Sequence, residues 1–243
     1  MCFGGSRRRY AANSLQMFRH AAFWATVTYL MACAPPQTVS PTTTFFEGQL
    51  VYACHTSYHG SNPAHRDYYE HQKFGDTLLV TTAADGAYRR DYPYAGPRGY
   101  DFTLYRPAGN VVYAAFNFMD TVLAYCPDTT PLAEQRIRRL THAELDCTDC
   151  GGLLLTGRDV QAGLDVMARF TYRDDGPAVN TAAWARNRDF AIGELFAMSG
   201  RHWETADWDF GNYRVVVRLA RTTPGPVADD VFELPTGRPV KWD

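Results

Sequence analysis

The sequence predicts a mostly β domain of the α+β class, built on one long antiparallel sheet with a few short helices. Three observations carry this reading. Short segments alternate apolar and polar side chains, compact turn signals separate them, and only residues 131–140 and 189–198 have helical character. The chain also holds 15 Tyr and 14 Phe in 243 residues, and flat rings suit a pleated, half-buried surface.

The elements follow in order. Phe46, Gly48, Leu50, Tyr52 and Cys54 share one parity, with Glu47 and Gln49 on the other, which reads as a first strand with one wet face. "DTLLVTTA" and "AYRRDYP" flank Asp85-Gly86, a hairpin signal. "GYDFTLYR" and "VVYAAFNF" flank a turn at Pro107-Ala108-Gly109-Asn110, and "TVLAYC" returns after Met119-Asp120. Pro131 suits the first turn of a helix over 131–140, and Arg138 and Arg139 suit its C-terminal end. "GLLLTGRD" and "DVMARFTYRDD" resume the strands. A second helix over 189–198 ends before Gly200. "RHWETADW" and "NYRVVVRLART" form a late hairpin around residues 209–212, and "PGPVADDVFELPTG" closes the chain. Local turns of this kind favour a meander. Without a repeat or a second linker, residues 45–243 read as one domain.

Residues 1–32 read as an export signal, with Met17 as an alternative start. Met17-Phe18-Arg19-His20 is a short basic opening, and Ala21–Ala32 is an uncharged apolar core. That core is shorter than the roughly 20 residues needed to span a bilayer, but it suits a signal peptide. Leu30-Met31-Ala32-Cys33 resembles a bacterial lipobox, in which a small residue precedes the cysteine that receives lipid. Cys33 is therefore the expected lipidation site and mature N-terminus, held to a membrane by acyl chains. Residues 33–44 continue as a Pro- and Thr-rich tether.

The whole chain carries −2, and four of its Arg precede Cys33 with no acid among them. The part from Cys33 onward therefore carries −6, which excludes nucleic acid as the expected partner. Four cysteines remain in that part: Cys54, Cys126, Cys147 and Cys150. An even number in an exported chain predicts disulfides, with three pairings open. Zinc and redox chemistry are the alternatives for Cys147-Thr-Asp-Cys150, though Gly151-Gly152 is poor material for the helix that a redox motif wants. His55, His59, His65 and His71 crowd a polar stretch that reads as a solvated loop rather than a metal site.

Known catalytic signatures are missing from the sequence: no G-x-S-x-G, no H-E-x-x-H and no phosphate-binding glycine loop. Asp174-Asp175 and Asp229-Asp230 are neighbours that a strand would point to opposite faces, so they read as turn acids. No metal or cofactor is called for. Tyr52, Phe102, Tyr113, Phe116, Trp203 and Tyr213 are candidates to line an apolar groove, or else belong to an ordinary core.

The lipobox, the tether, "FEGQLVY" opening a meander, a short helix near "FAMSG" and the "F-x-L-P-x-G" ending at Phe232–Gly237 resemble LolA/LolB-type domains, and more closely uncharacterised Bacteroidetes-type lipoproteins of that superfamily. The resemblance spans about Phe46 to Val240. It implies a curved antiparallel half-barrel with helices packed on its concave face, over an apolar cavity that LolA and LolB use to carry acyl chains. The expectation is a non-catalytic, lipid-anchored envelope protein, at the outer membrane in preference to the inner, binding a lipid or lipidated ligand. The alternatives are an envelope scaffold that binds protein through sheet edges or loops, and a hydrolase with dispersed residues.

Overall fold

The computed structural model describes residues 44–127, 139–142, 151–159, 164–187 and 192–242. All of these fall in the compact unit Thr43–Asp243, so Cys33 and the export signal lie outside the described residues.

Among the described residues twelve strands form one sheet. They are β1 (Gly48–Tyr58), β2 (Thr77–Thr82), β3 (Tyr88–Asp91), β4 (Tyr100–Arg106), β5 (Val111–Phe116), β6 (Val122–Tyr125), β7 (Arg139–His142), β8 (Gly151–Asp159), β9 (Leu164–Tyr172), β10 (Thr205–Asp209), β11 (Tyr213–Pro224) and β12 (Val240–Trp242). Their order across the sheet is 12-6-5-4-3-2-1-11-10-9-8-7. β1 is the seam, pairing with β2 on one side and with β11 on the other. Among the described strands all pairings are antiparallel except β12 on β6.

The turns form for the reasons their residues suggest. At the β2–β3 turn Gly86 adopts φ 92°, which suits a residue without Cβ. The Asp85 carboxylate there accepts the Ala87 N–H at 2.8 Å. Between β4 and β5 Asn110 takes φ 48° and is fully buried. It holds that conformation by accepting from the Tyr105 hydroxyl at 3.0 Å and donating to the Arg186 carbonyl. Between β10 and β11 the Gly211 N–H donates to Asp209 at 2.7 Å.

The helices partly match expectation. Ile192–Ser199, here α3, is the expected second helix, and Gly200 ends it at φ 62°. The first expected helix is corrected at its end: Arg139 and Leu140 belong to strand β7, and residues 131–138 lie outside the described residues. The His-rich stretch is not all loop. Asn62 caps a short helix α1 (Pro63–Asp67), accepting the Ala64 N–H at 3.0 Å, and a π-helical turn follows over Tyr68–Gln72. The local signal was present, since Asn-Pro is a good helix start. A four-residue helix, α2 (Thr181–Trp184), precedes α3.

The expected half-barrel is not found: the sheet is open, and neither closed nor strongly curled. Curling a sheet takes strand stagger and repeated bulges. Among the described ladders only two register shifts occur, at Val51/Tyr52 and at Tyr100/Phe102. Both faces of the sheet also carry apolar layers. On the helical face, Leu50, Tyr52, Val80, Tyr88, Phe170, Ala206 and Val217 pack with Trp184, Leu195 and Phe196 from α2 and α3. On the opposite face, Phe102, Leu104, Ala115 and Val122 pack under Phe232 of the C-terminal segment. That segment runs out from the end of β11, through a 3₁₀ turn over Asp229–Phe232, to β12 beside β6.

Candidate functional site

The six aromatic candidates divide between the two faces. Tyr52, Trp203 and Tyr213 lie in the core of the helical face. Tyr52 donates its hydroxyl to the Trp203 carbonyl at 3.0 Å, and the Trp203 ring stacks on Phe196 at 5.3 Å. Phe116, at the end of β5, packs beside Tyr100 at 4.5 Å. Phe102 and Tyr113 are on the other face, with the guanidinium groups of Arg89 and Arg106 over their rings at 4.5 and 5.5 Å. No single groove holds all six.

The layer between sheet and helices is filled. Rings pack there edge to face, with Trp184 against Tyr88 at 4.9 Å and against Phe196 at 4.8 Å. The void bounded by Tyr88, Arg90, Tyr105, Trp184 and Ile192 is about 10 Å³, room for a single water and too small for an acyl chain. At the end of the π-helical turn the Lys73 ammonium lies over the rings of Tyr69, Phe74 and Tyr213, at 5.0, 5.0 and 4.3 Å. It also donates to the Tyr213 hydroxyl at 2.8 Å. Tyr58, Tyr69, Tyr213 and Phe210 run as a nearly parallel stack. This rack fixes the π-helical turn against β1 and β11, and its ring faces cover one another.

Among the described residues an open groove of about 630 Å³ lies on the opposite face. Gln49, Thr81, Arg89 and Asp91 form its floor from β1, β2 and β3, and residues 223–231 form its wall. The wall is tied down from several sides. The Arg89 guanidinium donates to the Val231 carbonyl at 3.0 Å, and Glu47 accepts the Val227 N–H at 2.8 Å. Gly48, at φ 143°, lets β1 start hard against this wall: a Cβ there would meet the Thr223 carbonyl oxygen at 2.3 Å. Within the floor, Arg89 Nε donates to Asp91 Oδ1 at 2.8 Å. Burial raises the Asp91 carboxyl above its ordinary range, and the Arg89 hydrogen bond only partly offsets it.

The groove was missed in the sequence because its wall reads as a Pro/Gly-rich ending. The signal that would have found it is the apolar trio Val227, Val231 and Phe232 inside that ending, since a solvated tail has no need of them.

The expected disulfides are corrected. Cys54 is a free thiol, and no disulfide bond is found among the described residues. Cys54 sits on β1 and Cys126 just beyond β6, five strand spacings away, or about 24 Å. A disulfide needs its Cα atoms within about 7 Å. Cys147 and Cys150 lie outside the described residues. Burial pushes the Cys54 thiol up to about 11, with the nearby Thr56 hydroxyl opposing and Asp76 adding to the rise. Cys54 should therefore stay unlabelled by a thiol-disulfide reagent at pH 8 in the folded protein and react on unfolding. Peptide mass mapping of Cys54 with and without denaturant checks this, and fast labelling of the native protein would show an accessible thiolate instead.

Among the described residues no group of three or more His, Cys, Asp or Glu is placed to hold a metal ion. The histidine of most physical interest is outside the expected cluster. His202 is 3% exposed, stacks on Tyr88 at 6.0 Å and meets Phe196 edge-on at 5.4 Å, with Nδ1 unpartnered. Burial lowers it from 6.5 to about 3. Of the adjacent acid pairs, Asp175 pairs with Arg173 in an exposed turn, and Asp229 and Asp230 open the 3₁₀ turn of the groove wall. No protein-family model matches the chain, and no curated protein matches it.

Proposed function

We propose that this chain is a lipid-anchored binding module of the bacterial envelope, non-catalytic, and that its folded domain holds a protein partner on the face opposite its helices. One observation carries the choice of partner over acyl cargo. The layer between sheet and helices is packed with rings, while an open groove of about 630 Å³ lies between β1–β3 and residues 223–231. An acyl carrier needs an enclosed apolar volume, and this groove is open and mixed in polarity. The anchor rests on Leu30-Met31-Ala32-Cys33 after an apolar run with a basic start.

Two measurements test the reading. Cys33→Ser should leave the precursor uncleaved or release the protein from the membrane fraction, and an intact mass beginning at Met1 or Met17 in the native membrane form would remove the anchor. A photo-crosslinking residue at Thr223 or Val227 should yield a discrete crosslinked species in intact cells. The same residue at Met198, 45% exposed on α3, should not. Equal crosslinking at all three positions, or acyl lipid retained stoichiometrically by the purified protein, would overturn the protein-partner reading.

A further inference from the structure

We infer that the groove between β3 and the C-terminal wall takes an extended peptide segment bearing basic side chains. The inference rests on the binding-module reading and adds the chemistry of the partner. Arg89, Asp91 and Asp230 are the charged side chains among the described residues lining the groove. Arg89 is already engaged: Nε donates to Asp91, Nη1 donates to the Val231 carbonyl, and the guanidinium plane covers the Phe102 ring. It is therefore a structural cation that ties wall to floor, with little capacity left for an incoming anion.

The carboxylates are the underused groups. Asp91 has one oxygen, Oδ1, on Arg89, and its Oδ2 takes no hydrogen bond from the described residues. That oxygen is not among the buried unpartnered atoms and the side chain is 30% exposed, so an N–H or ammonium donor on an incoming segment can reach it. Asp230 adds a second negative charge from the wall. With Arg89 the one cation among the described lining residues and already engaged, the lining carries one more carboxylate than it has cations, and a basic segment complements it.

Shape selects a chain rather than a small amine. The groove is an open trough, walled on one side by Pro224, Pro226 and Val227 and floored by Gln49 and Thr81. An extended segment that alternates basic and apolar residues would lay one parity on the carboxylates and the other along the prolines and valine.

The experiment uses the whole mature protein in detergent, with fluorescence anisotropy of a labelled capped peptide of three Arg-Val repeats. The comparison probes are the Glu-Val counterpart and a fluorescent fatty acid. Saturable binding of the Arg peptide alone is expected, weakened several-fold between low and physiological salt. Asp230→Asn should weaken it about fivefold, and Gln49→Lys, which adds a cation to the floor, about tenfold or more. Asp91→Asn is informative only if its melting temperature is near that of the parent, and the other two variants carry the test if it is not. Equal binding of the Glu peptide, or an Arg peptide indifferent to both variants, overturns the inference. If the groove crosslinks a partner in cells yet ignores the Arg peptide, the cationic reading fails while the binding-module reading stands. If it takes the fatty acid in preference, both fail.

Discussion

Lowering the pH from 7 to 4 should destabilise this protein far more than the same change destabilises its His202→Phe variant. His202 is neutral in the fold because burial holds it near 3, whereas in the unfolded chain it titrates near 6.5. Below pH 6.5 the unfolded state binds a proton that the folded state refuses, so stability falls as pH falls, until the folded group itself titrates near 3. Over that window the loss is on the order of 4 kcal/mol, a large fraction of the usual stability of a domain. Phe is a fair replacement because the neighbours are rings: Phe46, Tyr88 and Phe196 surround His202. It also removes the unpartnered Nδ1, so the variant should be at least as stable at pH 7. Asp91 works in the other direction, since its raised carboxyl binds a proton more readily in the fold than in the unfolded chain. For that reason the difference between parent and variant is the readout, measured by urea unfolding at pH 7, 5.5 and 4. Parallel curves would mean that His202 is reached by water in the native state.

The strands were legible because alternation and turn chemistry are local. Asp85-Gly86, Asn110 and Gly211 all sit at the turns where the residues want to be. Which strands share a face was not legible in the same way. Tyr100 and Phe102 have the same parity within β4, yet the register shift between them sends Tyr100 to the helical face and Phe102 to the other. A bulge is one residue of geometry with no strong sequence mark, and it is enough to split a set of aromatics that look equivalent on paper. The curvature of the sheet was not legible either, because it came from a family resemblance rather than from the residues, and too few bulges are present to bend it. The groove depends on a contact between distant parts of the chain: Arg89 meets the carbonyl of Val231 across 142 positions. No window of sequence contains both partners. His202 was missed for a related reason, since Arg201-His-Trp203 looks like a polar start to a strand, and only the packing of α3 above it makes it core.

Replacing Phe196 by Ala should cost about 3–5 kcal/mol, the range for removing a large ring from a packed core. Phe196 is 1% exposed and sits on the buried side of α3. Among the described residues it touches four rings: Tyr88, Trp184, His202 and Trp203, at 6.5, 4.8, 5.4 and 5.3 Å. These neighbours come from β3, from α2 and from the segment ahead of β10, so they cannot all move inward together to fill the gap. The contrast within the same helix is Met198→Ala, which should change stability by less than about 0.5 kcal/mol because the side chain is 45% exposed. The pair of variants also decides whether the helical face is a core or a cargo site. In a filled core, Phe196→Ala opens a dry apolar cavity that a small aromatic solute can enter. Benzene should then raise the melting temperature of the variant by mass action and leave the parent unchanged. In a cargo site the opposite pattern holds: the parent already has room, so a long-chain fatty acid stabilises it, and trimming one wall costs little. Calorimetric melts of both proteins, with and without each solute, separate the two. Stabilisation of the parent by fatty acid, together with a loss under about 1 kcal/mol for Phe196→Ala, would return the acyl carrier to first place.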